Sequence, residues 1–155
     1  MAGEFHLICV GKLKDPGLEQ FEQDFLKRLK NIQLTMHETK ACADQPSVEA
    51  AEVLRCIEKI SPRQNPIIIL LDENGKSLTS TLFASWIQEM SEGPKNKIIF
   101  CIGGAMGHGP ELKNKATFLL TLSSMTLPHR LARVIFVEQF YRAYTLNTGH
   151  PYHNA

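Results

Sequence analysis

Hydrophobic runs alternate with amphipathic segments along this chain. Five apolar runs bounded by turn residues predict strands at residues 5–10, 33–38, 67–72, 97–102 and 118–122. The third and fourth runs lack polar–apolar alternation, which is typical of strands buried on both faces. Helical spacing predicts helices at 18–29, 50–60 and 79–90, and further helices after Pro110 and Pro128. The pattern indicates an α/β fold with one mostly parallel sheet and helices on both faces.

The same patterns predict buried faces and turns. Phe21 and Leu82 are expected to face the core from the first and third helices. Residues 73–76 and 147–149 are expected to form turns. The last helix has apolar side chains on more than one face, which indicates a packing partner in addition to its own core. These side chains are Leu131, Val134, Ile135, Phe136, Val137, Phe140, Tyr141 and Tyr144.

Length and composition are those of one ordinary globular domain, covering residues 1–155. A hydrophobic fraction of 43% and a charged fraction of 21% exclude a disordered or fibrous chain. The formal net charge of +1 gives no general attraction to nucleic acid, so any such contact needs a local basic patch. The four cysteines have no C-x-x-C spacing, and neither a secretion signal nor a bilayer-spanning apolar run is evident. We therefore expect a cytoplasmic protein without membrane contact.

Ligands of parallel α/β sheets bind beyond the carboxyl ends of the strands, which nominates three segments here. They are residues 71–73, the glycine-rich 103–109 and 122–127. Gly103 and Gly104 either let a ligand approach the backbone or serve a turn with positive φ. The glycine order is not the dinucleotide fingerprint, and a Walker motif is absent from the sequence. A cofactor held without a phosphate cradle is therefore favoured.

A short tail carries His150, Tyr152 and His153, whose side chains suit proton transfer and stacking. Terminal histidines are nevertheless most often plain surface residues. Two histidines fall short of the three or four ligands of a metal site, so no metal is expected. Ser123 and Ser124 lack the G-x-S-x-G elbow of serine hydrolases.

The cationic side chains have simple explanations as well as functional ones. Arg142 follows Glu138 by four residues on one helix, so a surface ion pair accounts for it equally well. Four other cations are expected to be solvated or, if clustered, to form a modest phosphate-binding patch. They are Lys12, Lys14, Arg130 and Arg133.

Several motifs taken together resemble those of a known family. They are LLDENGK at 70–76, IGGAMGHG at 102–109, LSSMTLPHRLARVIFVEQFYRAY at 122–144 and HPYH at 150–153. In this order they are similar to the SPOUT-class methyltransferases that modify a pseudouridine of large-subunit ribosomal RNA at ring nitrogen three. The resemblance covers nearly the whole chain and is most specific in its second half.

The resemblance implies a parallel sheet whose C-terminal part is threaded into a trefoil knot. It also implies an obligate homodimer, with the last helix in the interface, and S-adenosylmethionine bound in the knot. The implied substrate is 23S ribosomal RNA within an assembled ribosome or large subunit, with no metal involved. Carried over by motif, the residues that should line the cofactor pocket are Leu71, Gly103, Leu122, Ser123, Ser124, Met125, Thr126 and Leu127.

The family's catalytic roles carry over to the tail and the last helix. His153 should accept the imide proton or orient the base, Tyr152 should stack or hydrogen-bond, and Arg142 should contact a phosphate or carbonyl. Two departures from the family pattern are Met106, where a polar residue is expected, and the uncharged residues 154–155. The alternatives are a catalytically silent knotted RNA- or ribosome-binding module and a small α/β nucleotide-binding regulator.

Overall fold

The structure is a computed structural model that describes residues 3–95 and 97–154. Strands and helices alternate along it. The strands are β1 (Glu4–Val10), β2 (Leu34–Thr39), β3 (Ile67–Ser77), β4 (Lys97–Ile102) and β5 (Phe118–Thr121). The helices are α1 (Pro16–Arg28), α2 (Pro46–Ile60), α3 (Ser80–Ser91), α4 (Pro110–Lys115) and α5 (His129–Thr148).

These five strands form one parallel sheet with the order β2-β1-β4-β3-β5. Helices α1, α3 and α5 cover one face, and α2 and α4 cover the other. The prediction of a mostly parallel α/β sheet covered on both faces is confirmed. Because the strands are parallel, the segments that follow them lie along the same edge of the sheet.

The larger part of the core lies between the sheet and the helices α1, α3 and α5. Phe136 and Phe140 of α5 have no exposed surface and pack on Phe100 and Phe5 of the sheet. The ring centroids of Phe136 and Phe100 are 4.7 Å apart, and those of Phe140 and Phe5 are 5.2 Å apart. Burying each such ring stabilises the fold by roughly 1.5–3 kcal/mol.

Side-chain caps begin two of the helices. The Asp15 carboxylate accepts a hydrogen bond from the backbone NH of Leu18 at 3.1 Å and starts α1. The Thr79 hydroxyl accepts one from Leu82 at the same distance and starts α3. Each cap satisfies a backbone donor that the first helical turn leaves without a partner.

The last helix extends into the segment where a turn was predicted. It continues through Thr148 and ends at Gly149, which takes the left-handed conformation with a φ of 77°. The prediction of a turn at 147–149 is therefore wrong except at its final residue. Asn147 remains helical because its side-chain amide donates a hydrogen bond to the carbonyl of Ala84 in α3.

The turn predicted at 73–76 does not end a strand, because β3 continues through these residues to Ser77. Asp72 accepts a hydrogen bond from the backbone NH of Asn74 at 2.8 Å, so a local turn does form. The chain nevertheless returns to the sheet, where Lys76 pairs with Leu120 of β5. The turn-forming residues 73–76 thus form a bulge-like irregularity within strand β3 instead of a connection between two elements.

Gly75 lies where β5 passes directly against this irregular part of β3. A Cβ atom at position 75 would lie 2.5 Å from the backbone nitrogen of Leu120 and 2.7 Å from the carbonyl carbon of Leu119. Real Cβ atoms essentially never approach other heavy atoms so closely. The close passage of the two backbones therefore requires glycine at this position.

Two predictions of burial are wrong. Phe21 is 48% exposed and Leu82 is 56% exposed. The faces that α1 and α3 present to the core are narrower than the sequence pattern suggests, because Phe25 and Phe83 already fill the core positions. Phe21 instead packs on the outer side of Phe25, with ring centroids 5.0 Å apart.

Arg133 is not a solvated charge, contrary to the prediction, but is only 7% exposed. Its Nε and Nη2 atoms donate hydrogen bonds to the Glu22 carboxylate at 2.8 and 2.9 Å, and Nη1 donates to Glu38 at 2.6 Å. Burial alone would lower the pKa of the guanidinium, but the bonds to both carboxylates outweigh burial and raise the pKa. The side chain therefore stays charged and ties α5 to α1 and β2.

Candidate active site

The three nominated strand ends close around one cavity of about 520 Å³ at the carboxyl edge of the sheet. Seven of the residues that were predicted to line the cofactor pocket line this cavity: Leu71, Gly103, Leu122, Ser123, Met125, Thr126 and Leu127. Ser124 is exposed and does not belong to the lining. Residues 71–74 supply one wall, the glycine segment 102–108 a second, and the loop after β5 a third.

The glycine segment is folded tightly beside the cavity. Gly107 has a φ of 75° and its NH donates a hydrogen bond to the carbonyl of Gly104 at 3.0 Å. A Cβ atom on Gly103 would lie 3.0 Å from the backbone of Gly107. Close packing within the turn therefore explains both glycines, and it also leaves backbone, rather than side chains, at the cavity wall.

His108 joins two walls of the cavity and was missed as a separate site residue in the sequence analysis. It is buried, and its Nε2 atom donates a hydrogen bond to the carbonyl of Leu71 at 2.9 Å. Burial lowers the pKa of the imidazole, although the bond to Leu71 and the charge of Asp72 act in the opposite direction. The only sequence signal was a histidine within a glycine turn at a strand end.

Acidification is expected to destabilise the protein through His108. The unfolded chain binds a proton near the ordinary pKa of 6.5, whereas the folded chain holds a neutral ring. Stability should therefore fall as the pH drops from about 6.5 towards the lowered folded pKa, by up to about 1.4 kcal/mol per pH unit. Urea unfolding at a series of pH values measures this slope.

The variant His108→Asn is expected to show a shallower slope than the parent protein between pH 7.5 and 5.5. Its slope will not vanish, because burial also lowers the pKa of His37. His150→Ala, which removes an exposed imidazole from the tail, serves as the control for the loss of one histidine. Equal slopes in His108→Asn and the parent would contradict the assigned role.

The loop after β5 is held by its own side chains. The Thr121 hydroxyl donates a hydrogen bond to the carbonyl of Ser123 at 2.7 Å, and the Ser123 hydroxyl accepts one from the NH of Met125 at 2.9 Å. Met125 is 77% exposed at the rim of the cavity. Ser123 therefore shapes the loop, and its hydroxyl is not presented as a nucleophile.

The predicted catalytic residues lie together, away from the cavity, in what we call the tail cluster: Glu138, Arg142, Tyr152 and His153. Nη1 of Arg142 donates a hydrogen bond to Nδ1 of His153 at 2.9 Å. Nε of Arg142 donates to the Glu138 carboxylate at 3.0 Å, so the expected ion pair on the helix is present. The Tyr152 hydroxyl donates to the same carboxylate at 3.0 Å.

Aromatic contacts fix the position of the tail on α1 and α5. The ring of Tyr152 packs edge-on against Tyr141, with centroids 4.9 Å apart, and the guanidinium of Arg142 lies 5.0 Å from the Tyr152 centroid. Burial and the bond to Glu138 raise the pKa of the Tyr152 phenol. The phenol is thus a hydrogen-bond donor at neutral pH and a poor base.

The tail cluster and the cavity occupy different parts of α5. His129 lines the cavity at the first residue of the helix, and Arg142 follows 13 positions later. At 1.5 Å per residue this separation is about 20 Å along the helix axis. Within one chain, the groups assigned to catalysis therefore do not face the cavity assigned to the cofactor.

The described residues contain one further large cavity, which lacks the side chains of an acid–base active site. A larger cavity of about 710 Å³ lies between the end of α1 and the start of β2, lined by residues 26 and 29–36, and none of these residues carries a carboxylate or an imidazole. Within residues 3–95 and 97–154, no group of three or more His, Cys, Asp or Glu side chains could hold a metal ion. In the same described part, no helix is long and apolar enough to cross a membrane.

A family model described as "Predicted SPOUT methyltransferase" matches residues 4–153. This range includes the whole sheet, the cavity at its carboxyl edge and the tail cluster. The fold and the match define the class of the protein, which is a SPOUT methyltransferase.

Relatives that align with nearly the full length of this chain identify its family within this class. A protein of Clostridium novyi is 36% identical over 156 residues, covering 95% of this chain and 97% of its own. One of Chromobacterium violaceum is 38% identical over 153 residues, covering 95% and 96%. One of Koribacter versatilis is 33% identical over 150 residues, covering 97% of each. All three are named "Ribosomal RNA large subunit methyltransferase H", and the chain belongs to this family.

Proposed function

We propose that this chain is a single-domain, homodimeric, cytoplasmic enzyme that methylates ring nitrogen three of a pseudouridine in 23S ribosomal RNA. Its methyl donor is S-adenosylmethionine, and its substrate is the assembled ribosome or large subunit. One observation carries most of the proposal: the segments that resemble the family's cofactor motifs close around a single cavity of about 520 Å³. The relatives' shared name supports large-subunit ribosomal RNA as the substrate.

The residues at the cavity fit this donor. S-Adenosylmethionine supplies a methyl group on a positive sulfur, which departs as a neutral thioether and needs no metal. Leu71, Leu122 and Leu127 offer apolar walls for its adenosine, and Gly103 lines the cavity without a side chain, so its backbone can face the donor. A phosphate cradle is not required, because the donor contains no phosphate.

Threading of β5 past β3 is part of the proposal and is supported by their close contact. The backbones of Leu120 and Gly75 pass so closely that a Cβ at position 75 would lie 2.5 Å from the Leu120 nitrogen. Just before β5, the NH of Thr117 donates to the Ile68 carbonyl at 2.7 Å, and its hydroxyl accepts from the Ile68 NH at 3.0 Å. A knot would hold the loop after β5 firmly against the cavity.

The hydrogen bonds of the tail cluster favour one of the two roles considered for His153. Nδ1 of His153 accepts a hydrogen bond from Arg142, so the proton of the neutral ring is on Nε2. In this arrangement His153 donates from Nε2 to a carbonyl oxygen of the base and orients it. Accepting the imide proton at Nδ1 would first require the bond to Arg142 to open.

A homodimer brings the separated parts of the site together. Because about 20 Å of helix separates Arg142 from His129 in one chain, a second copy packed against α5 would supply the tail cluster to this cavity. Phe21 of α1 and Leu131 of α5 are 48% and 40% exposed, which provides apolar surface for such packing. Each active site then combines the cavity of one protomer with the tail of its partner.

Loss of either tail group is expected to reduce the methyl-transfer rate by about 100-fold, because orientation and hydrogen bonding of the base are lost. The variants are His153→Ala and Arg142→Ala. The measurement is transfer of labelled methyl from S-adenosylmethionine into ribosomal RNA, together with calorimetry of donor binding. The dissociation constant of the donor should stay within about twofold of the parent value.

His150→Ala is the matched control, since it removes an exposed imidazole from the same tail and should retain full activity. Full turnover in both His153→Ala and Arg142→Ala would refute the role of the tail. Donor binding without any transfer by the parent protein would instead indicate a catalytically silent RNA-binding module. Recovery of activity on mixing His153→Ala with the cavity variant Thr126→Trp would support sites shared between protomers.

A further inference from the structure

A narrow cleft opens beside the cofactor cavity at the same edge of the sheet. Lys12, from the segment after β1, and Arg130, from the first turn of α5, both line it. Ile102 and His129 line both the cleft and the cofactor cavity of about 520 Å³, so the two openings are direct neighbours. Residues far apart in the sequence thus place two cations at the mouth of the site.

The segment that carries Lys12 is held in a fixed conformation. Leu13, the next residue, is 2% exposed and belongs to the core. Gly11, the preceding residue, has a φ of 86°, and its NH donates a hydrogen bond to the carbonyl of Thr39 at 2.8 Å. Lys12 itself is exposed between these two anchors. Its backbone is therefore ordered before any ligand arrives, which lowers the entropic cost of a contact.

The charges of this cleft are not balanced locally. Arg133 also lines it, but its guanidinium is already neutralised by Glu22 and Glu38. None of the residues that line the cleft is acidic, and no ion pair within 4.0 Å involves Lys12 or Arg130 among the described residues. In a chain of net charge +1, two unpaired cations beside the cofactor cavity make this part of the surface locally positive.

We propose that Lys12 and Arg130 bind backbone phosphates of the RNA strand next to the target nucleotide. This inference rests on the proposed function, because it takes the neighbouring cavity as the place where the methyl group is transferred. Phosphate contacts position a strand without reading its sequence. The two cations would thus set which nucleotide reaches the cavity, while the tail cluster orients its base.

The carboxylate of the methyl donor is the other anion that could approach these side chains. The cleft encloses only about 10 Å³, which is too little to enclose an amino-acid group. Lys12 and Arg130 are both exposed to solvent, as a contact with a large external strand requires. The two possibilities can be distinguished by measurement. Loss of Lys12 and Arg130 would weaken donor binding only if these side chains contact the donor carboxylate.

The test is the double variant Lys12→Ala/Arg130→Ala, assayed on large ribosomal subunits that lack the modification. The control is Arg63→Ala/Lys95→Ala, which removes the same charge from two exposed positions at the amino ends of the strands. For the first variant, we expect the KM for subunits to rise by about tenfold and the salt dependence of binding to lose about two units of slope. The control should match the parent protein in both measurements.

The outcomes separate this inference from the proposed function. Methyl transfer by the parent protein, with equal KM and salt slope in the variant and the control, would overturn the phosphate contact alone. A loss of S-adenosylmethionine affinity at unchanged KM for subunits would assign the two cations to the donor instead and would also overturn it. The variant Lys12→Arg/Arg130→Lys keeps both charges, so its binding to subunits should retain the salt dependence of the parent protein. That result would attribute the salt dependence to charge rather than to the shape of the cleft. Absence of transfer by the parent protein would remove the proposed function itself, and the inference with it.

Discussion

Replacement of Arg133 by methionine is expected to lower the free energy of unfolding by about 3–5 kcal/mol, because it leaves a buried carboxylate without its ion-pair partner. The side chain of Glu22 is only 3% exposed and receives two hydrogen bonds from Arg133. Methionine fills much of the same volume, so the loss arises from the unpaired charge and the broken hydrogen bonds. Chemical unfolding in urea measures the difference directly.

Two further variants isolate the cause. Arg55→Met removes an arginine whose ion pair with Glu52 is exposed, and it should cost less than about 1 kcal/mol. The double variant Arg133→Met/Glu22→Gln should be more stable than Arg133→Met alone, since both charges of the buried pair are then absent. If the double variant is instead less stable, the single substitution acts through lost packing and the electrostatic explanation fails.

Gly75→Ala is expected to cost at least about 3 kcal/mol, because the new methyl group overlaps the backbone of β5. The overlap involves the nitrogen of Leu120 at 2.5 Å and the carbonyl carbon of Leu119 at 2.7 Å. A flexible side chain could move aside, but a backbone in a paired strand cannot do so without losing its hydrogen bonds. Thermal unfolding of the purified variant, or its yield of folded protein, reports the effect.

A graded set of glycine substitutions provides the controls. Gly107→Ala meets no atom within 4 Å but keeps a φ of 75°, so it should cost about 1–2 kcal/mol from backbone strain. Gly93→Ala meets only ordinary contacts, the nearest at 3.4 Å from the carbonyl oxygen of Met90, and should be nearly neutral. Equal stability of Gly75→Ala and Gly93→Ala would show that β5 does not pass so close to Gly75 in solution.

The position of the cofactor cavity follows from the sequence to a large extent. Apolar runs located the strands, and the rule that ligands bind at the carboxyl ends of parallel strands then selected Leu71, Gly103 and the loop after β5. These segments line one cavity in the structure. Ser124 shows the limit of this reasoning, because the sequence does not reveal which residues of a loop turn away from a cavity.

The roles of Arg133, His108 and Gly75 depend on partners that are distant in the sequence. Arg133 pairs with Glu22 and Glu38, which are 111 and 95 positions away. His108 binds the carbonyl of Leu71, 37 positions away. Helical spacing and turn statistics report only on close neighbours. They therefore predicted a solvated charge at Arg133 and a turn at Gly75, and they gave His108 no role of its own.

The contribution of α5 to the core bears on how the protein is made in the cell. Phe136 and Phe140 complete the core between the sheet and the helices α1, α3 and α5, and they lie in the last fifth of the sequence. During synthesis, which proceeds from the N-terminus at about 5–20 residues per second, α1 and α3 cover only part of that face until α5 has been translated. This core is therefore completed only after α5 has been translated, and the apolar surface of the nascent sheet needs protection from aggregation until then.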